Sequence, residues 1–268
     1  MTKTILITGA TDGIGLETAR MLAAKGQRVL LHGRNAAKLE ALRESLTSLA
    51  KVPVETFVAD LSRMADAEGL AAAVIARSAP LDVLINNAGV YSTSSPVTPE
   101  GLDLRFVVNT VAPYLLTQRL LPLLGSAGRV VNLSSAAQAS VDLKALEGGG
   151  ALSDNAAYAQ SKLAITMWSR ALADTLGDEG PAVIAVNPGS LLASKMVKDA
   201  FGVEGADLRI GADILTRAAL SEEFADASGK YYDNDAHRFA SPHRDALDPE
   251  KCQAVVRVVE AVLARTKP

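Results

Sequence analysis

The chain has 268 residues, 49% hydrophobic and 21% charged, a balance that supports one substantial folded core and excludes extensive disorder. Its formal net charge is -3 and Lys and Arg form no cluster, so neither nucleic acid nor an anionic membrane surface is an expected partner. The single cysteine, Cys252, closes no internal disulfide, and the scattered His32, His237 and His243 have no metal-ligand spacing, so no metal is expected.

The opening MTKTILITGA passes from a short apolar run directly into glycine, leaving no room for the h-region of a signal peptide. No segment reaches the ~18 uninterrupted apolar residues of a membrane-spanning helix, and a cytoplasmic location is expected. In chain order, residues 4–8, 28–32, 54–59, 83–86, 129–133 and 182–186 read as apolar strands, with helical patterns in the gaps. Strands that are apolar on both faces and alternate with helices predict a parallel sheet covered on both sides. The expected fold is therefore α/β, a doubly wound, Rossmann-like sheet forming a single domain over residues 1–268. Irregular stretches at 136–153 and 189–207 are expected to be substrate loops. Residues 230–232 are a strand that would close the sheet, and 249–265 read as a terminal helix.

Residues 8–15, TGATDGIG, stand where the first strand ends and a helical pattern begins, the place where an open α/β sheet binds ligands. Gly9 permits the tight turn, Gly13 the approach of a diphosphate and Gly15 close helix packing, while the helix N-terminus offers unpaired N–H groups to the anion. Turn chemistry alone also places three glycines after a strand. The second strand ends in His32, Gly33, Arg34 and Asn35, without the carboxylate that usually accepts from a ribose 2'-hydroxyl. An Arg in that place suits a 2'-phosphate, which favours NADP over NAD; the plainer role for Arg34 is a surface turn.

Tyr158 and Lys162 are four apart in a helical stretch and share one face, and RVVNLSS at 129–135 brings two hydroxyls to the carboxyl edge of the sheet. Together TGATDGIG, NNAG at 86–89, Asn109, Ser134 with Ser135, YAQSK at 158–162 and NPG at 187–189 resemble the short-chain dehydrogenase/reductase family, in family order from residue 4 to about 190. The resemblance implies catalytic roles for Asn109, Ser135, Tyr158 and Lys162. It also implies a cofactor site of Gly9, Thr11, Asp12, Gly13, Ile14, Gly15, Arg34, Asn35, Asp60, Leu61, Asn87, Ala88, Gly89, Tyr158, Lys162, Pro188 and Gly189. Asn87 has a structural alternative, tying neighbouring backbones, and Asp60 another, capping a helix before Ser62. The implied activity is hydride transfer between NADP and a small carbonyl or alcohol substrate. Family resemblance also suggests a dimer or tetramer, although no self-complementary surface is legible.

A hydride delivered to a carbonyl leaves an alkoxide that needs a proton, and Tyr158 would supply it. In the reverse direction a phenol of pKa about 10 is only about 0.1% ionised at neutral pH, and the Lys162 cation would favour phenolate. Ser135 would bond the substrate oxygen, and the resemblance suggests that Asn109 anchors a water leading from Lys162 to solvent. The stretch between Ser135 and Tyr158 is longer than in many family members and is similar to that of the retinol-dehydrogenase-like branch, whose retinoid substrate is not carried over. Pro113 is expected to kink the helix after Asn109 or to remove one of its backbone bonds. Where the family has a nicotinamide-contacting Thr this chain offers Ser190 or Ser194, and Leu191, Leu192, Met196, Val197 and Phe201 suit either an apolar lid or ordinary core. Two other readings remain: a catalytically silent dinucleotide sensor or scaffold, and a non-redox enzyme on the same fold.

Overall fold

In the computed structural model, residues 2–77, 79–193, 202 and 204–266 are described. The first half lays down β1 (Thr4–Ile7), α1 (Gly13–Ala24), β2 (Arg28–Gly33), α2 (Ala36–Leu46), β3 (Glu55–Val58), α3 (Met64–Ile75) and β4 (Val83–Asn86). Then follow α4 (Leu104–Phe106), α5 (Ala112–Leu120), β5 (Arg129–Leu133), α6 (Leu143–Leu146), α7 (Asp154–Leu176), β6 (Ala182–Asn187), α8 (Leu208–Leu220), β7 (Tyr231–Asp233), β8 (Arg238–Ala240) and α9 (Pro249–Arg265). The strand order is β3-β2-β1-β4-β5-β6-β7-β8, parallel from β3 through β7 and antiparallel only between β7 and β8. The chain winds outward from β1 on one side and from β4 on the other, so the sheet's carboxyl edge opens a crevice between them.

Alternation of side chains along each strand builds two cores from one apolar sequence. Leu6, Leu84, Val130 and Val183 face α3, α5, α7 and α9, whereas Ile5, Ile7, Ile85, Val131 and Ile184 face α1, α2 and α8. Each buried Leu, Ile or Val contributes about 1.5–3 kcal/mol, and covering both faces explains why the strands read as continuous apolar runs.

The doubly wound sheet agrees with the sequence expectation, with strand ends displaced by a residue or two. The closing strand is present as β7, but β8 extends the sheet beyond it. Beginning with an exposed Arg238, it lacks the paired aromatics that mark the equally short β7. Pro113 falls at the start of α5, and the distortion it was expected to cause appears as a wide π turn, Val107–Val111, just before it. The 136–153 stretch is not wholly irregular: it contains α6, capped by Asp142, whose side chain accepts from Lys144 N and Ala145 N.

Candidate active site

The glycine turn is shaped by close backbone approach. Gly9 has φ +67, and a Cβ there would come within 2.9 Å of Ala88 Cα. A Cβ on Gly15 would lie 2.3 Å from the Gly9 carbonyl oxygen and 2.4 Å from Asn87 Nδ2. Asn87 holds this arrangement by donating from Nδ2 to Thr8 O (2.8 Å) and Gly9 O (3.0 Å), so its backbone-tying role is real. His32, which the sequence left without a role, completes the brace: Gly9 N donates to its Nδ1 at 3.3 Å and its Nε2 lies 3.1 Å from Ala59 O. A carbonyl can only accept, so Nε2 carries the proton and Nδ1 is free to accept. Burial lowers the His32 pKa to about 4, which keeps the ring neutral.

A cleft of about 460 Å³ runs from this turn across the carboxyl edge to Tyr158. On the β1–β3 side it is lined by Gly9, Thr11, Asp12, Gly13, Ile14, Arg34, Asp60 and Leu61, and on the β4–β6 side by Asn87, Ala88, Gly89, Tyr158, Lys162 and Pro188. Asp12 also N-caps α1, accepting from Gly13 N at 2.8 Å. Asp60 accepts from both Ser62 N (3.0 Å) and Ser62 Oγ (2.8 Å), a local turn that leaves Arg63 as the N-cap of α3. Arg34 is exposed at the cleft wall. Its neighbour Asn35 is turned to a different task, N-capping α2 by accepting from Lys38 N at 2.9 Å, and it is not among the cleft residues. Gly15 and Gly189 likewise stand behind the lining rather than in it.

At the other end, α7 begins at the Ser153 cap and carries Tyr158, Ser161 and Lys162. Lys162 is buried and donates from Nζ to Leu133 O at 2.7 Å, the ammonium lying 5.7 Å from the Tyr158 ring centroid. Burial lowers its pKa to about 8, so it remains mostly charged at neutral pH. Burial raises the Tyr158 pKa, a hydrogen bond with Ser135 draws it back, and the neighbouring Tyr91 raises it further. Of the two serines, Ser134 fastens α7 through Thr166 Oγ1 (2.7 Å) and Lys162 O (3.2 Å), which leaves Ser135 as the one that bonds Tyr158.

Asn109 sits inside the π turn and its side chain is fully engaged. Nδ2 donates to Val90 O and Ser161 Oγ, both at 2.9 Å, and Oδ1 accepts from Val90 N at 2.8 Å. Ser161 Oγ in turn donates to Tyr158 O at 2.7 Å, so Asn109 joins the β4 loop to the turn of α7 that carries the phenol. Pro113, having no N–H, withholds from the Asn109 carbonyl its ordinary helical donor four residues on.

Several supporting residues had no local signal in the sequence. Arg105, almost wholly buried, donates to Asp103 at 2.6 and 2.8 Å and pairs with Asp154, in the first turn of α7. Tyr91 lines the cleft and packs against Tyr158 with ring centroids 5.1 Å apart. After β6, Ser190 donates from both N (2.8 Å) and Oγ (2.6 Å) to Asp235, and Asn187 Nδ2 donates to Asp233 and Asp235, each at 2.9 Å. Leu192 is buried and Leu191 exposed, whereas Ser194, Met196, Val197 and Phe201 lie outside the described residues.

The family model for short chain dehydrogenases matches residues 3–203. The chain belongs to the short-chain dehydrogenase/reductase family. It is accordingly an NAD(P)-dependent oxidoreductase, a statement the motifs, the fold and the match support together. Retinol dehydrogenase 13 of Homo sapiens is 32% identical over 263 residues, covering 91% of this chain and 80% of that protein. Among solved structures, an uncharacterized protein from Mycobacterium paratuberculosis superposes with a TM-score of 0.81 at 27% identity, covering 98% of this chain and 93% of its own. A short-chain dehydrogenase from Shigella flexneri 2a, complexed with NADP, gives a TM-score of 0.69 at 29% identity, covering 87% and 97%. Among the described residues, no helix is long and apolar enough to cross a membrane.

Proposed function

We propose that the chain binds NADP along this cleft and interconverts a small carbonyl compound and its alcohol, with Tyr158 as the acid/base. The glycine turn fits a diphosphate: Gly9 and Gly13 line the cleft, the close approaches at Gly9 and Gly15 leave no room for the Cβ atoms that would push the turn out of shape, and the α1 N-terminus faces the same space. Exposed Arg34, at the end of β2 where no carboxylate competes, suits a 2'-phosphate, and the NADP held by the Shigella flexneri relative agrees with that choice. Bound there, the dinucleotide supplies or accepts the hydride.

The chain's own part is the proton. Tyr158, neutral in the free site, gives its phenolic proton to the substrate oxygen during reduction and is left as phenolate; in oxidation that phenolate, favoured by the neighbouring Lys162 cation, would take the alcohol proton. Ser135 bonds the phenol in the free site and would turn its single hydroxyl proton to the substrate oxygen once substrate is bound, so that charge develops beside a donor. Lys162, held at Leu133 O, keeps a positive charge near the phenol, and its pKa of about 8 puts loss of that support at mildly alkaline pH. Asn109 joins the Val90 segment to α7, and its carbonyl, denied a donor by Pro113, is suited to hold a water on the route from Lys162 to solvent. Residues 136–153 and the described part of 189–207 would border the substrate.

The single observation carrying this reading is the placement of Tyr158 and Lys162 at the end of the cleft that starts in the glycine turn, with Ser135, itself outside the lining, bonded to the phenol. Purified protein should shift NADPH fluorescence on binding and consume NADPH with members of a panel of small aldehydes and ketones. Cofactor binding without hydride transfer to any member, in either direction, would instead favour a dinucleotide sensor.

A further inference from the structure

We propose that Tyr91 is the specificity-determining wall of the carbonyl pocket, shaped for a flat, conjugated or aromatic group next to the reacting carbon. The inference rests on the catalytic reading of Tyr158 and adds the class of substrate. Tyr91 follows the NNAGV segment and lines the cleft together with Val90 and Ser92, at the end occupied by Tyr158. Its ring is tilted 58° to that of Tyr158. A molecule whose oxygen reaches the Tyr158 phenol therefore has its neighbouring atoms close to the Tyr91 ring.

Three contacts make this ring a rigid surface rather than a loose flap. Val90, directly before it, is held at both N and O by Asn109. The Tyr91 hydroxyl donates to Asn155 Oδ1, on the first turn of α7. The third contact is the Tyr158 ring itself. A phenol fixed at its backbone, ring and hydroxyl loses little further entropy when a ligand packs on it. Aromatic rings favour offset or edge contacts with other π systems over contacts with saturated groups of equal size. Val90, Val108 and Leu133 supply apolar cleft surface, with polar groups at Ser92, Ser134, Tyr158 and Lys162. The arrangement is thus apolar and planar beside the body of the substrate and polar at its oxygen, the pattern of a pocket that orients a ligand by few polar groups.

The test compares a flat and a puckered molecule of matched size. Turnover of benzaldehyde and cyclohexanecarbaldehyde is measured with NADPH, and binding of benzyl alcohol and cyclohexylmethanol to the NADP-loaded protein is measured by saturation-transfer NMR. The wild type should bind the flat alcohol at least about fivefold better, the scale of one aromatic contact. Tyr91→Leu, which keeps apolar bulk but removes the ring, should bring that ratio within about twofold and raise KM for benzaldehyde while NADPH affinity holds. Tyr91→Phe, which keeps the ring and removes the hydroxyl that bonds Asn155, should retain most of the preference. Conjugation slows hydride addition to benzaldehyde equally in each variant, so the change in the aldehyde ratio between variants is the quantity read. Equal binding of the two alcohols by the wild type, or a preference that survives in Tyr91→Leu, would overturn the proposal. Preferential binding of the flat alcohol without turnover of either aldehyde would leave Tyr91 its role and remove the catalytic reading instead.

Discussion

Around the glycine turn, the cleft is held largely through backbone groups. Ala10 N donates to His32 O, Thr8 N to Ile85 O and Ala59 N to Gly33 O, and three side chains, those of Thr8, His32 and Asn87, bond main-chain atoms of the neighbouring segments. Around Tyr158 the ties are mostly made by side chains crossing between elements: Asn109 to Val90 and Ser161, Lys162 to Leu133, Ser134 to Thr166, and Arg105 to Asp103 and Asp154. The difference follows from what each half must present. A diphosphate is met by N–H groups and empty space, which glycine provides, whereas a proton donor must be aimed, which takes buried polar partners.

Substitutions that strike one half should therefore leave the other half's readout nearly intact. The largest effect is expected from Arg105→Ala, which leaves the Asp103 carboxylate poorly exposed and unpaired and frees the start of α7. We expect a loss of about 3 kcal/mol or more in urea unfolding, and a fall in turnover that outpaces any change in NADPH affinity. Gly15→Ala attacks the opposite end. Its methyl group would overlap Gly9 O and Asn87 Nδ2, so a loss of about 3 kcal/mol in stability and of at least tenfold in NADPH affinity is expected by fluorescence titration.

His32 ties the turn to the end of β3, and its protonation sharpens the comparison. Its folded pKa of about 4 lies below the unfolded value of 6.5, so both states are neutral at pH 7. As pH falls below 6.5, the unfolded chain takes up a proton that the folded ring refuses, and stability is lost through the window down to about pH 4. Between pH 7 and pH 5 the wild type should lose about 2 kcal/mol more than His32→Gln, whose amide cannot titrate, as read from urea unfolding at the two pH values. The smallest effect is expected from Arg34→Asp on the exposed rim: NADP affinity should fall about tenfold, or 1.4 kcal/mol, with NAD affinity little changed. Equal losses for both dinucleotides would remove the 2'-phosphate role.

The same contrast governs how much could be read from the residues alone. The glycine turn, the apolar strands and the Tyr158–Lys162 pair announce themselves by local spacing, and the structure brings all three to one edge of the sheet. The place of Asn35 after Arg34 was legible, whereas its capping of α2 was not. Arg105, Tyr91 and Asp235 gave no signal, since each acts on a partner distant in sequence: Arg105 on Asp154, Tyr91 on Tyr158 and Asp235 on Ser190. Strand β8 escaped because Arg238–Ala240 lacks the paired aromatics that marked the equally short β7. The π turn was visible only as a proline expected to disturb a helix, since widening upstream and kinking are two answers to one missing N–H.

The most direct test of the central claim is single-turnover reduction by Tyr158→Phe, with NADPH binding measured on the same preparation. Removing one hydroxyl from a packed ring should lower the hydride-transfer rate by at least about 100-fold while NADPH affinity stays within about twofold, because the proton is lost and the cradle is untouched. A variant that still reduced substrate at close to the wild-type rate would contradict the account, for the proton would then come from another group.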